Sequence, residues 1–370
     1  MQKKIFVFLR NKLGTIDAAL PLLLELKQKY DIKSEIITFD YLTFNGINKN
    51  IFIKDSIKEI GKLIYIDSKN KVLRKLKIFL FMVKVSVRSL FEARVFHFGT
   101  LSEGPFKFFA GLFYNKLYFL DKAAFKYSGT NIYTKEMSKK PKRLIRSGKY
   151  EIHFYPHNSE RKLETNVIEY YYPRARPLWV NFSKSKANFY FSKFHKELDK
   201  KKDLIVFILG GVEEGHGKVQ LDIRDQFKKI IRILGEEFSH CQVLIKPHIY
   251  TDIDFVKEFI SKFNNLELTY LHPTLLSTRA KIFLVQSFSS TMADAKSMGV
   301  PTVEFAKYND KLIEATKGHS IEKEYVDFFI QNDEKLLIKT LSGILLSKKI
   351  VVKNTEIEGL NLSFQDNFFG

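Results

Sequence analysis

Leu204-Ile205-Val206-Phe207-Ile208-Leu209 runs without a polar break into Gly210-Gly211-Val212-Glu213-Glu214-Gly215-His216-Gly217, and the reading of this stretch decides the fold. A continuous apolar run of this length describes a strand buried on both faces, as in a parallel sheet covered by helices. The same punctuation recurs downstream. Residues 241–246 form a second run that stops at Pro247 and His248. Residues 281–286 form a third, ending in Ser287-Phe288-Ser289-Ser290-Thr291, after which the pattern turns helical as far as Met298. Between the runs, Ile223, Phe227, Ile230, Ile231 and Leu234, and then Phe255, Val256, Phe259, Ile260 and Phe263, fall at helical spacing. Residues 266–271 and 302–305 read as further strands, and residues 321–329 and 333–346 as helices. In doubly wound sheets ligands bind outside the carboxyl ends of the strands, which is where all three polar clusters fall.

The first half repeats this design. Residues 4–9 read as a buried strand, Gly14 allows a turn, Thr15 or Asp17 starts a helix running to about Lys29, and Pro21 sits where its missing N–H costs little. Residues 35–39, 62–66 and 93–99 read as strands, the last ending at His97 before a polar loop that holds Glu103. His97 and Glu103 are acceptor-side candidates, with a structural histidine as the default reading of His97. The expected fold class is α/β, two doubly wound Rossmann-like domains facing across a cleft. Periodicity is poor over residues 183–202, which places an N-terminal domain at residues 1–190, a C-terminal one at 191–350 and a tail at 351–370.

Composition narrows the function classes. The chain has 370 residues, 45% of them apolar, which is ample for a core in each of two domains. Cys241 is the single cysteine, so neither an internal disulfide nor a zinc finger is expected, and a reducing cytoplasmic setting follows. No run reaches the roughly 18 apolar residues of a spanning helix, and the opening residues are too short an apolar run for a signal peptide. Lys and Arg exceed Asp and Glu, 61 to 41, for a net charge of +20. About half of that excess reflects a general bias towards Lys, Ile, Phe and Asn, and the rest points to anionic partners. Basic residues are not interleaved with aromatics in an RNA-binding pattern, so nucleic acid is not an expected partner. Residues 71–91 and 106–120 mix Lys and Arg with Leu, Phe and Val. Two readings stay open for them, helices lying in an anionic membrane interface or buried helices with a solvated basic edge.

The clusters carry the chemistry. Ser289, Ser290 and Thr291 at the start of a helix offer hydroxyls and unpaired N–H groups to a phosphate, where an ordinary cap needs only one hydroxyl. Lys246 and His248 can neutralise or protonate a departing phosphate. Glu213 and Glu214 are carboxylates in a Gly-rich loop, either of which can serve as a base, against the plainer reading of a solvated acidic turn. No His-Glu-x-x-His pattern or comparable metal-ligand spacing is present, so no metal is expected.

Taken in order, Glu213-Glu214-Gly215, Lys246-Pro247-His248 and Ser289-Ser290 resemble GT-B glycosyltransferases of bacterial surface-polysaccharide assembly, in particular the CMP-sugar-using sialyltransferase and polysialyltransferase groups. Their shared pattern is an acidic-acidic-Gly loop, a His-Pro step and a Ser-Ser pair. The resemblance implies an inverting, metal-independent transfer from a CMP-linked nonulosonic acid or Kdo-type sugar to a surface polysaccharide or glycolipid. It implies that Glu213 or Glu214 is the base, that His248 assists the leaving phosphate, and that Gly210, Gly211, Lys246, Ser289, Ser290 and Thr291 hold the donor. Glu304, in Gly299-Val300-Pro301-Thr302-Val303-Glu304-Phe305, would contact the ribose. His248 is followed by Ile249, whereas a true His-Pro step is formed by His272 and Pro273, so His272 stays a rival. Residues 14–21 resemble the opening of heptosyltransferases with the acidic residue set further along, which makes Asp17 a rival base. The expected partners are a nucleotide-sugar donor, a glycan or glycolipid acceptor and an anionic membrane surface on the cytoplasmic side. The alternatives are a CDP-alditol phosphotransferase of the teichoic-acid type, which this half resembles in its His and Ser-Ser features, and a nucleotide-sugar 2-epimerase, which shares the fold.

Overall fold

A computed structural model of the chain describes residues 3–9, 13–99, 101, 104–121, 148–154, 166–210, 220–248, 251–321 and 323–347. These group into two compact units that divide between Trp179 and Val180.

The first unit is a seven-stranded sheet. Its strands are β1 (Lys4–Leu9), β2 (Lys33–Thr38), β3 (Gly61–Tyr65), β4 (Ala93–His97), β5 (Leu117–Asp121), β6 (Tyr150–His153) and β7 (Asn166–Glu169), in the order β3-β2-β1-β4-β5-β6-β7. Every pairing is parallel, with Phe8 level with Ile37 on one side and His97 on the other. The strand order reverses between β1 and β4. Helices α1 (Leu13–Tyr30), α2 (Tyr41–Lys49), α3 (Ile51–Ile60), α4 (Lys71–Leu90) and α5 (Gly104–Leu112) connect the strands. Asp40, Asn50 and Asn70 cap α2, α3 and α4, each accepting from an N–H of the first turn.

Helix α6 (Pro177–Phe194) carries the division between the units and corrects the poor periodicity read there. Trp179, Ser183, Ala187, Tyr190 and Phe191 are buried at helical spacing. Ser183 and Ala187 are too small to register as a hydrophobic stripe, and Lys184, Lys186 and Asn188 occupy the intervening positions. Residues 106–120 are also not one helix. The helix stops at Leu112, a 3-10 turn spans Tyr114–Lys116, and Leu117 opens a strand whose ladder partners on both sides decide its conformation. Tyr118 stacks there on Tyr150 with ring centroids 4.6 Å apart.

The second unit has six strands, β8 (Leu204–Ile208), β9 (Gln242–Lys246), β10 (Leu266–Leu268), β11 (Ile282–Gln286), β12 (Thr302–Ala306) and β13 (Phe328–Gln331), in the order β10-β9-β8-β11-β12-β13, again all parallel. Its helices are α7 (Ile223–Glu236), α8 (Ile253–Ile260), α9 (Pro273–Ser277), α10 (Met292–Ser297), α11 (Asp310–Ala315) and α12 (Glu334–Leu346). The apolar face of α7, with Phe227, Ile230, Ile231 and Leu234, packs with Ile205, Phe207, Val243 and Ile245 of the sheet. The helix expected over residues 321–329 is instead a 3-10 turn, Lys323–Tyr325, followed by β13, because the exposed edge of β12 offers a ladder to pair with. Among the described residues, no helix is long and apolar enough to cross a membrane.

Candidate functional site

The order of the second sheet puts the carboxyl ends of β9, β8 and β11 side by side. Ile208 is level with both Lys246 of β9 and Val285 of β11, so the strands stop at one height. Strand order reverses between β8 and β11, the position where doubly wound sheets open a crevice for ligands. Gly210, directly after β8, and Ser287, directly after β11, face each other at this point. A Cβ built on Gly210 would lie 2.8 Å from the Gln286 carbonyl oxygen and 3.0 Å from Ser287 Oγ, so only glycine fits without a shift. Ser287 itself has φ of 62°, a left-handed conformation uncommon for a residue with a side chain.

The chain beyond Ser287 supplies hydroxyls. Ser289 Oγ and Thr291 Oγ1 are 2.9 Å apart, and the N–H groups of Met292, Ala293 and Asp294 donate to the carbonyls of Ser289, Ser290 and Thr291 as α10 begins. This loop is braced from below. The Phe288 N–H donates to Tyr308 Oη at 2.8 Å, Tyr308 donates in turn to one oxygen of Glu304, and Ser320 donates to the other. Glu304 lies in the middle of β12 and is fully buried. Burial pushes its carboxyl up to about 7, and the hydrogen bonds from Ser320 and Tyr308 only partly oppose the shift. Burial and the Glu304 charge raise the Tyr308 hydroxyl well above its ordinary value.

Lys246 closes β9, and the Leu209 N–H donates to its carbonyl at 3.0 Å, tying that strand end to the start of the Gly210 loop. His248 is exposed two residues on, its N–H donating to Thr251 Oγ1 at 2.8 Å. The rival His272 is buried and caps α9, its Nδ1 accepting from the Thr274 N–H at 3.3 Å. Glu304, read as a ribose contact, points its carboxylate at Tyr308 and Ser320. Gly211, Glu213, Glu214 and His216 lie outside the described residues, as does Glu103. Among the described residues, no group of three or more His, Cys, Asp or Glu side chains is placed to hold a metal ion.

The sequence reading missed the residues that shape this end of the sheet from within. Tyr308, Ser320 and Gln286 belong to no motif. Gln286 gives a signal as an uncharged polar residue closing an apolar run. It is buried, and its Nε2 donates to the Ile223 carbonyl at 2.6 Å, fixing the start of α7.

The first unit has its own opening where its strand order reverses. A cavity of about 820 Å³ lies at the carboxyl ends of β1, β2 and β4, walled by Phe8, Phe39, Ile78, Phe79 and Phe106, with Arg74 and Lys75 also on its lining. His97 lines it too, buried, with its Nδ1 against the Gly99 carbonyl. Asp17 sits on α1, with the Arg174 guanidinium 3.6 Å from its carboxylate.

No protein-family model matches the chain, and no curated protein matches it in sequence. Solved structures match its fold over nearly the whole length. A UDP-GlcNAc 2-epimerase from Methanocaldococcus jannaschii superposes with a TM-score of 0.57 at 15% identity, covering 96% of this chain and 95% of that one. A putative UDP-N-acetylglucosamine 2-epimerase from Listeria monocytogenes gives 0.54 at 12% identity, over 94% and 89%. An E. coli heptosyltransferase with ADP gives 0.47 at 9% identity, over 92% and 99%. The two parallel α/β units of this chain share the fold of the first two of these structures, the GT-B architecture.

Proposed function

We propose that the protein is a glycosyltransferase that binds a nucleotide-activated sugar at the carboxyl ends of β8, β9 and β11 and passes the sugar to a surface polysaccharide or glycolipid. The observation that carries this reading is the meeting of Gly210 and Ser287 where the strand order reverses, with hydroxyls on one side and a Lys-Pro-His turn on the other. Such a crevice admits a diphosphate or monophosphate close to backbone. Ser289, Ser290 and Thr291 would donate to the phosphate. Lys246 and His248 would meet the negative charge that grows on it as the glycosidic bond breaks, which is the electrostatic term expected to dominate the rate. The acceptor hydroxyl gives its proton to Glu213 or Glu214 and attacks the anomeric carbon from the face opposite the departing phosphate, so configuration inverts. With protein cations meeting the leaving phosphate, transfer needs no metal. CMP is the proposed nucleotide, carrying a nonulosonic acid or Kdo-type sugar, on the resemblance of the ordered motifs.

A second reading is epimerisation of a nucleotide sugar, drawn from the name of the structures whose TM-scores are 0.57 and 0.54. The two separate by product, since an epimerase returns a nucleotide sugar of unchanged mass and needs no acceptor. In a turnover assay, His248→Ala and a Ser289→Ala/Ser290→Ala pair should each lower the rate by roughly 100-fold or more with an unchanged melting temperature. Turnover near wild type in both would remove the proposed site.

A further inference from the structure

Helix α4 is apolar on two opposite faces. Met82, Val85 and Ser89 are buried, and Ile78 and Phe81 pack against the same core. On the other side Val72, Leu76, Leu80, Val83, Val87 and Leu90 follow one another at intervals of three or four residues, with Phe79 beside Leu80, a single stripe along the whole helix. That stripe faces solvent, with Val72 77% and Leu80 57% exposed. Helix α5, which packs on α4, adds Phe108 at 79% and Leu112 at 77%. An exposed apolar surface of this extent marks an interaction site. Its chemistry specifies the partner. Helix α4 carries Lys71, Arg74, Lys75, Lys77, Lys84 and Arg88 and no acidic residue, in a chain of net charge +20. A protein groove that accepted the apolar stripe would have to bury or neutralise these cations, whereas an anionic headgroup layer meets both requirements at one depth.

We infer that α4 and the adjoining face of α5 dock on an anionic lipid bilayer, the stripe entering the headgroup region and Lys71 and Lys75 pairing with lipid phosphates. Phe79 belongs to the stripe and also to the wall of the first unit's cavity, so docking sets the mouth of that cavity at the lipid surface. Among the described residues, Lys71 and Lys75 have no ion-pair partner and are available to lipid, while Arg74 is held by Asp67 at 2.9 Å and Lys84 by Glu35 at 3.1 Å.

The test is co-sedimentation of the full chain with vesicles of phosphatidylcholine alone and of phosphatidylcholine with phosphatidylglycerol, at low and high salt. The wild type should sediment with the anionic vesicles and be released in part by salt. Leu76→Glu/Leu80→Glu/Val83→Glu should lower the bound-to-free ratio about tenfold or more with an unchanged melting temperature, because the replaced side chains support no core. Lys71→Glu/Lys75→Glu should weaken binding to the anionic vesicles only. The proposal is overturned if the wild type binds neither vesicle, or if the apolar variant binds as the wild type does. It is also overturned if light scattering shows that the apolar variant has turned a dimer into a monomer, which would assign the stripe to a second copy of the chain. None of these readouts involves sugar transfer, so they stand apart from the catalytic reading.

Discussion

Replacing Glu304 with Gln should flatten part of the pH dependence of stability. Glu304 is fully buried on β12, and its carboxyl is raised from the ordinary 4.5 to about 7 by burial, with Ser320 and Tyr308 opposing. The folded chain therefore holds a proton that the unfolded chain releases between those two values. Stability from this group is fully present below pH 4.5 and is lost as pH rises through about 7. The difference across the window is on the order of 3 kcal/mol, which corresponds to a melting-temperature change of ~6–12 °C for a unit of this size. Gln keeps the shape, and its oxygen can accept from Tyr308 while its amide donates to Ser320, but it does not titrate. Thermal melts of wild type and Glu304→Gln between pH 4.5 and 8 isolate the effect, since other groups titrate alike in both. The variant should gain on the wild type steadily as pH rises. A constant difference in melting temperature across the range would mean that Glu304 has the same proton affinity folded and unfolded, which is incompatible with a carboxyl raised by burial.

Two further substitutions test the frame around the site. Gly210→Ala should cost roughly 1–3 kcal/mol and weaken nucleotide binding, because the new methyl meets the Gln286 carbonyl at 2.8 Å; urea unfolding and a binding titration check both. In the first unit, burial alone would raise the Glu35 carboxyl, but hydrogen bonds and charge from Lys4 and Lys84 outweigh it and hold it below its ordinary value. The folded-state value lies below the unfolded one, so this stability is present above about pH 4.5 and lost as pH falls through the folded value. Glu35→Gln should accordingly melt below the wild type at pH 7 and approach it in acid, as a series of melts will show.

The second unit was the more legible half because its strands are uninterrupted apolar runs closed by Gly, Pro or Ser. Residues 204–209, 241–246 and 281–286 became β8, β9 and β11 within a residue at each end. Their adjacency, which brings Gly210 and Ser287 together, comes from strand order, and periodicity carries no information about which strands pair. Strands β5, β6, β7 and β13 escaped for the same reason, being short or mixed in composition and defined by their ladders. Helix α4 was legible as a helix, but it carries an apolar stripe besides its core face, and only packing tells which of the two is buried. Tyr308 reaches Glu304 and the Phe288 N–H through tertiary contact alone, and no local pattern announces that chain of hydrogen bonds.

The proposed function requires a nucleotide at the carboxyl ends of β8, β9 and β11, and thermal-shift binding reports whether one sits there. The full chain is melted with CMP, CDP, UDP, GDP and ADP, with and without EDTA, and the series is repeated on Ser289→Ala/Ser290→Ala. We predict that CMP at about 100 times its dissociation constant raises the melting temperature by ~5–10 °C, equally in EDTA, and that the double variant loses the shift. A shift with UDP alone would favour the epimerase reading, and no shift with any of the nucleotides would rule out a nucleotide site at these strand ends.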